Sequence, residues 1–158
     1  MFLNEATKLR AQTIIKGLEK RNMHGVFCAT KEDALKQALS YIKEGSSVSW
    51  GGSMSVSEIG LMDALKEGNY QLIDRSVAKN FDEQREIFSK AVLADYYLMS
   101  SNAITLDGEL INIDGTGNRV ACLSYGPKHV IMIVGMNKVV NDVEDGIKRV
   151  RNFASPPN

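Results

Sequence analysis

The sequence predicts an α/β fold: three layers, with a mostly parallel central sheet, helices on both faces and one inserted β-hairpin. Three observations carry that expectation. Short apolar runs alternate with longer segments whose apolar residues recur at helical spacing, the pattern of strand–helix–strand units. The run Val130-Ile131-Met132-Ile133-Val134 is continuously apolar, as strands covered on both faces are. Asp107-Gly108 stands between two short β-like runs, a hairpin signal.

The elements follow in order. Residues 4–21 place Leu9, Ile14, Ile15 and Leu18 at near-helical spacing, with Asn4 as cap and Glu5 at the positive helix end. Gly25 breaks the pattern, and Val26-Phe27-Cys28-Ala29 reads as a buried strand. Thr30 and Asp33 form a variant capping box before a helix with Ala34, Leu35, Ala38, Leu39 and Ile42 on one face, ended by Gly45. Ser47–Trp50 is a strand, and Gly51-Gly52-Ser53-Met54-Ser55 turns the chain into a helix with Ile59, Leu61, Met62 and Leu65 inward, closed at Gly68. Residues 70–73 make a third strand, and 74–80 are polar and exposed. Residues 81–93 are helical, with Phe81, Ile87, Phe88, Val92 and Leu93 facing the core.

Tyr96–Met99 is a fourth strand. Residues 103–106 and 109–113 flank Asp107-Gly108, for which a type I′ turn is expected. Gly115-Thr116-Gly117-Asn118 leads into a short helix over 119–124, stopped by Gly126-Pro127. The strand at 130–134 is expected at the sheet centre. Asn141 is positioned to cap a last helix with Val143, Ile147, Val150 and Phe153 on one face, which Ser155-Pro156-Pro157-Asn158 cannot continue. No repeat or linker interrupts the chain, so a single domain is expected over residues 1–158.

Lys plus Arg equals Asp plus Glu at 19 each. That balance argues against a nucleic-acid or membrane-surface protein, which carries a basic excess. Lys148, Arg149 and Arg151 read as a solvated face. Cys28 and Cys122 read as buried reduced thiols, which suits a cytoplasmic protein. His24 and His129 are not in metal-ligand spacing, and no metal site is expected. Met1-Phe2-Leu3-Asn4-Glu5 lacks a signal-peptide pattern, and the longest apolar run is far too short to span a bilayer.

Two glycine turns are the candidate ligand sites, because ligands in open parallel sheets sit at the carboxyl ends of strands. In the first, Gly51, Gly52, Ser53, Met54 and Ser55 combine close backbone approach with hydroxyl donors. A plain turn with a serine cap explains it equally well. It is neither a Walker loop nor a dinucleotide fingerprint. In the second, Gly115, Thr116, Gly117 and Asn118 precede Arg119, whose charge at a helix start is unfavourable unless an anion sits nearby. Glu58 is either a capping carboxylate, since Ser55-Val56-Ser57-Glu58 fits a capping box, or a catalytic one; Asp114 carries the same ambiguity.

Gly51-Gly52-Ser53-Met54-Ser55 with Glu58-Ile59-Gly60-Leu61, then residues 101–108 (Ser-Asn-Ala-Ile-Thr-Leu-Asp-Gly) and 112–121 (Asn-Ile-Asp-Gly-Thr-Gly-Asn-Arg-Val-Ala), resemble the lactate-utilization (LUD) domain family, once a domain of unknown function. The resemblance covers nearly the whole chain. It implies a fold similar to the superfamily of ribose-phosphate isomerase, glucosamine-phosphate deaminase and CoA-transferase. It also implies a place in bacterial oxidation of L-lactate to pyruvate beside iron–sulfur proteins. No cofactor is expected within this chain, so the clusters would lie in partner proteins. Relatives continue past Pro156-Pro157 into a cysteine-containing tail that these residues do not include.

A more distant similarity links Ser101-Asn102, Asp107-Gly108, Asn112 and Gly115-Thr116 to the Gly-Ala-Asp, Asn-Gly, Asn-Lys and Gly-Thr series of isomerases acting on methylthioribose phosphate. Asn102 stands where those enzymes carry an acid–base aspartate, and asparagine exchanges no proton at neutral pH. The resemblance thus adds Asn102 and Asn112 as ligand-binding residues. Three functions follow: a non-redox subunit of lactate oxidation binding a small anion; a stand-alone enzyme on a phosphorylated sugar, CoA or folate derivative; or a structural or regulatory module. A homo-oligomer is compatible with each.

Overall fold

The computed structural model describes residues 2–154, and the side chains of 5–153. Expectations for residues 155–158 and for the Asn4 side chain lie outside them; α1 (Phe2–Glu19) already runs through Asn4. The chain forms two compact units, one from Thr30–Ser100 and Thr116–Ile133, the other from Met1–Ala29, Ser101–Gly115 and Val134–Asn158.

The first unit is the predicted α/β layer structure. It contains α2 (Lys31–Tyr41), β1 (Ser47–Trp50), α3 (Met54–Glu58), α4 (Leu61–Glu67), β2 (Gln71–Ile73), α5 (Phe81–Val92), β3 (Tyr96–Met99), α6 (Asn118–Ser124) and β6 (His129–Met132). The strands pair in parallel in the order β2-β1-β3-β6. Side chains alternate across β3. Leu98 packs with Val48, Ala38, Leu61 and Leu65, whereas Tyr97 and Met99 pack with Cys122, Phe88 and Val92. Successive strand residues point to opposite faces, so α2 and α4 cover one face of the sheet and α5 and α6 the other. Fully burying leucines such as Leu61 and Leu65 contributes about 1.5–3 kcal/mol each.

The second unit holds α1, β4 (Ala103–Thr105), β5 (Leu110–Ile111), β7 (Val139–Val140) and α7 (Val143–Arg149). Its sheet has the order β5-β4-β7, with β4 antiparallel to β5 and parallel to β7. A Cβ at Gly17 would clash with the Asp107 carbonyl group. Only glycine lets α1 approach the hairpin turn this closely. Arg21 reinforces the contact by donating to the Gly17 and Asp107 carbonyls.

Several expectations change. Residues 26–29 form no strand; they lie where the chain passes from one unit to the other. The run at 130–134 becomes β6 at the sheet edge rather than its centre. Its apolar continuity reflects cover on both faces: Ile131 and Ile133 join one core cluster, Val130 and Met132 the other. The hairpin is not type I′, since Gly108 has φ +79° while Asp107 is not left-handed. Gly108 N–H donates to Thr105 O at 3.0 Å and Thr105 N–H to Glu109 O at 2.9 Å, a three-residue loop ending in a left-handed glycine.

The helix expected after Gly52 is two, broken at Gly60, whose φ is +76°. Asp142, not Asn141, caps α7, accepting from Asp145 N–H at 2.9 Å. Leu9 is exposed, since it lies about 140° round the helix from buried Ile14. Phe81 and Leu93 are exposed at the two ends of α5. Of the four residues expected on one face of the last helix, only Val150 is buried. A π turn over Val150–Ala154 changes the spacing there. Arg149 is half-buried rather than solvated, donating to the Asn102 carbonyl.

Candidate functional site

The carboxyl ends of three adjacent strands define the candidate site. After β1, Gly51 continues the ladder by donating its N–H to Leu98 O at 2.9 Å. Gly51 is buried and Gly52 exposed. Ser53 then caps α3, its hydroxyl accepting from Val56 N–H at 3.4 Å. Ser57 Oγ donates to Ser53 O at 3.4 Å. Met54 points into solvent, and Ser55 is half-buried.

Arg119, in the first turn of α6, reaches this segment. A Cβ on Gly51 would lie 3.3 Å from the Arg119 Cγ and Cδ and 3.1 Å from the Tyr97 hydroxyl. A side chain at this position would press on the arginine stem, a role for the glycine beside the close anion approach expected from sequence. Arg119 also donates to Ser100 O, just past β3, at 3.1 Å. A guanidinium is a planar fork of five donors, so this anchor and the packed stem fix its orientation. The left-handed Gly117, φ +77°, starts α6. Thr116 Oγ1 donates to Asn118 Oδ1 at 2.9 Å. Within this unit, Arg119 thus links the start of α6 at Gly117 to the Gly51 turn.

Arg75 was not anticipated, since residues 74–80 read as an exposed polar stretch. It follows β2, and its Nη2 lies 3.4 Å from a Cβ built on Gly52. Asp74 caps the 3-10 turn Arg75–Val77 by accepting from Ser76 N–H at 2.8 Å. No local sequence signal marks Arg75. Only the pairing of β1 with β2, Ser49 beside Ile73, brings it to the glycines.

The remaining candidates stand as follows. Glu58 ends α3 and pairs with Lys31 at 3.6 Å; since Ser53 takes the cap, the Ser55–Glu58 capping box does not form as expected. In the other unit, Asn102 Oδ1 accepts from Ile113 N–H at 3.0 Å, bridging the two ends of the hairpin. Asn112 Oδ1 is buried with no hydrogen-bond partner among the described residues. Asp114 is half-buried, and Gly115 is exposed with open space beside it. Cys122 is buried and Cys28 half-buried, and neither is in a disulfide. His129 stacks on Tyr96 with ring centroids 5.0 Å apart. Among the described residues, no helix is long and apolar enough to cross a membrane.

The family model of the LUD domain matches residues 11–158, and the chain belongs to that family. Membership makes it a lactate-utilization-associated domain. No curated protein and no solved structure matches the chain.

Proposed function

We propose that this LUD-domain chain is a non-redox subunit or accessory domain in the oxidation of L-lactate to pyruvate. Its glycine turn at Gly51–Ser55 holds a small anionic ligand. The observation that supports the ligand reading is Arg119: its stem lies on Gly51, and its guanidinium is anchored on Ser100 O at 3.1 Å. A cation held at the carboxyl ends of β1 and β3 stands where open parallel sheets bind ligands. Charge-assisted hydrogen bonds to guanidinium are worth about 1.5–3 kcal/mol.

The subunit reading is supported by family membership and by the thiols. Two cysteines far apart in sequence, one buried and one half-buried, do not make a four-thiolate cluster site. Electron transfer then belongs to iron–sulfur partner proteins.

Two experiments test the parts separately. Deleting the gene should impair growth on L-lactate, and affinity purification of the full chain should recover iron–sulfur proteins. Normal growth together with no such recovery would sink the subunit reading. For the ligand, titration with phosphate esters, CoA esters, L-lactate and pyruvate should stabilise the native chain with at least one of them. Arg119→Ala should weaken that binding about tenfold or more.

A further inference from the structure

We propose that Arg75 is a second ligand-contacting residue of the glycine turn, and that it makes the turn select doubly charged head groups over singly charged ones. This rests on the anion reading of the turn and names the class of ligand it takes. Three observations carry it. Arg75 Nη2 lies at ordinary contact distance, 3.4 Å, from the Cβ position of exposed Gly52. The Arg119 Cγ and Cδ lie 3.3 Å from the Cβ position of the adjacent Gly51. The Arg75 side chain makes no hydrogen bond or ion pair among the described residues. Its nearest carboxylate in sequence, Asp74, is committed to Ser76 N–H.

Arg75, just past β2, and Arg119, in the first turn of α6, thus reach consecutive residues, the first by its guanidinium and the second by its stem. Each brings a full positive charge at any physiological pH. A singly charged head group brings one negative charge to the two arginines. A dianionic head group offers each guanidinium its own charge-assisted hydrogen bonds. The exposed Gly52 leaves the backbone between them open to it.

Methyl phosphate and dimethyl phosphate separate charge from shape. The first is a dianion at pH 8, since the second ionisation of a phosphate monoester lies at about 6; the second keeps the phosphoryl head with a single charge. Binding of each to the full chain is measured by NMR titration at low salt, with L-lactate as a singly charged carboxylate. The wild type should prefer methyl phosphate over the other two by about tenfold. Arg75→Ala should weaken methyl phosphate about tenfold and remove the preference. Arg75→Lys should keep part of it, as a point charge without the planar fork. Arg75 is exposed, so thermal melting should confirm that both variants fold. Equal affinity for the two esters overturns the inference, as does unchanged binding in Arg75→Ala. Loss of both esters in Arg119→Ala with no effect of Arg75→Ala leaves the anion site standing and removes only Arg75. Binding of L-lactate but of neither ester does the same, and binding of no anion removes both readings.

Discussion

The two ends of the parallel sheet treat charge in opposite ways. At the amino ends of β1 and β3, Asp95 is satisfied by the chain itself. Its carboxylate accepts from Lys128 Nζ at 2.6 Å and from the Ser47 N–H and hydroxyl, each at 2.9 Å. Its own N–H donates to Ser47 Oγ at 2.9 Å. At the carboxyl ends, Arg75 has no side-chain partner among the described residues, and Arg119 is held on a carbonyl past β3. One end ties strands together; the other presents donors. The Lys128 hydrogen bond, then those from Ser47, hold the Asp95 carboxyl well below the usual carboxylate range. No such internal neutralisation meets Arg75.

The sharpest way to break this contrast is Gly51→Val. The site is buried, and even a Cβ would meet the Arg119 stem at 3.3 Å and the Tyr97 hydroxyl at 3.1 Å. Overpacking of this kind costs about 1–3 kcal/mol. A chain of this size should then lose several degrees of Tm. Anion binding should fall with it, because Arg119 cannot keep its seat. Calorimetric melting and ligand titration check both; a variant that melts lower but binds normally would detach the arginine from the ligand site.

Asp95→Asn probes the opposite end. It should lower stability at pH 7 and leave anion binding unchanged. The sign follows from the depressed pKa. A carboxylate held low in the fold stabilises it fully above its unfolded value of about 3.9, and that contribution is lost as pH falls toward the folded value. The Tm difference between wild type and variant should therefore be largest near neutrality and shrink below pH 4. Melting curves at pH 7 and pH 3 measure it, and an equal difference at both would show that the Asp95 charge contributes nothing.

These edges were not equally legible in the sequence. The alternating pattern identified β1 and β3 at their observed bounds, because their residues point to two different apolar faces and both faces are covered. Gly51 and Arg119 were also picked out, from a glycine turn and from a cation at a helix start. Gly51 also lies against an arginine 68 positions along the chain, a neighbour that no local pattern reports. Arg75 could not be picked out at all. Local sequence reports periodicity and turn chemistry, whereas the Arg75 contact depends on which strands become neighbours. Sheet order is a long-range property, and the same limit hid the edge position of β6 and the irregular course of residues 26–29. Caps failed for a related reason. Ser53 and Asp142 took positions that Ser55 and Asn141 could fill equally well by residue type, and helix phase decided between them.

The smallest expected effect is the most discriminating one within the site. Gly52→Ala adds a methyl at ordinary contact distance, 3.4 Å, from Arg75 Nη2, at an exposed residue whose φ is not positive. The arginine end is flexible and can give way. The fold should not suffer, and restricting the unfolded chain should add about 0.4–1 kcal/mol of stability. Methyl phosphate should bind only about two- to threefold more weakly, because both guanidinium groups remain. Were Gly52→Ala instead to bind as poorly as Gly51→Val while staying stable, the ligand would be reading the bare backbone at Gly52. The contrast between the sheet's two ends would then rest on open peptide groups rather than on the charge of Arg75.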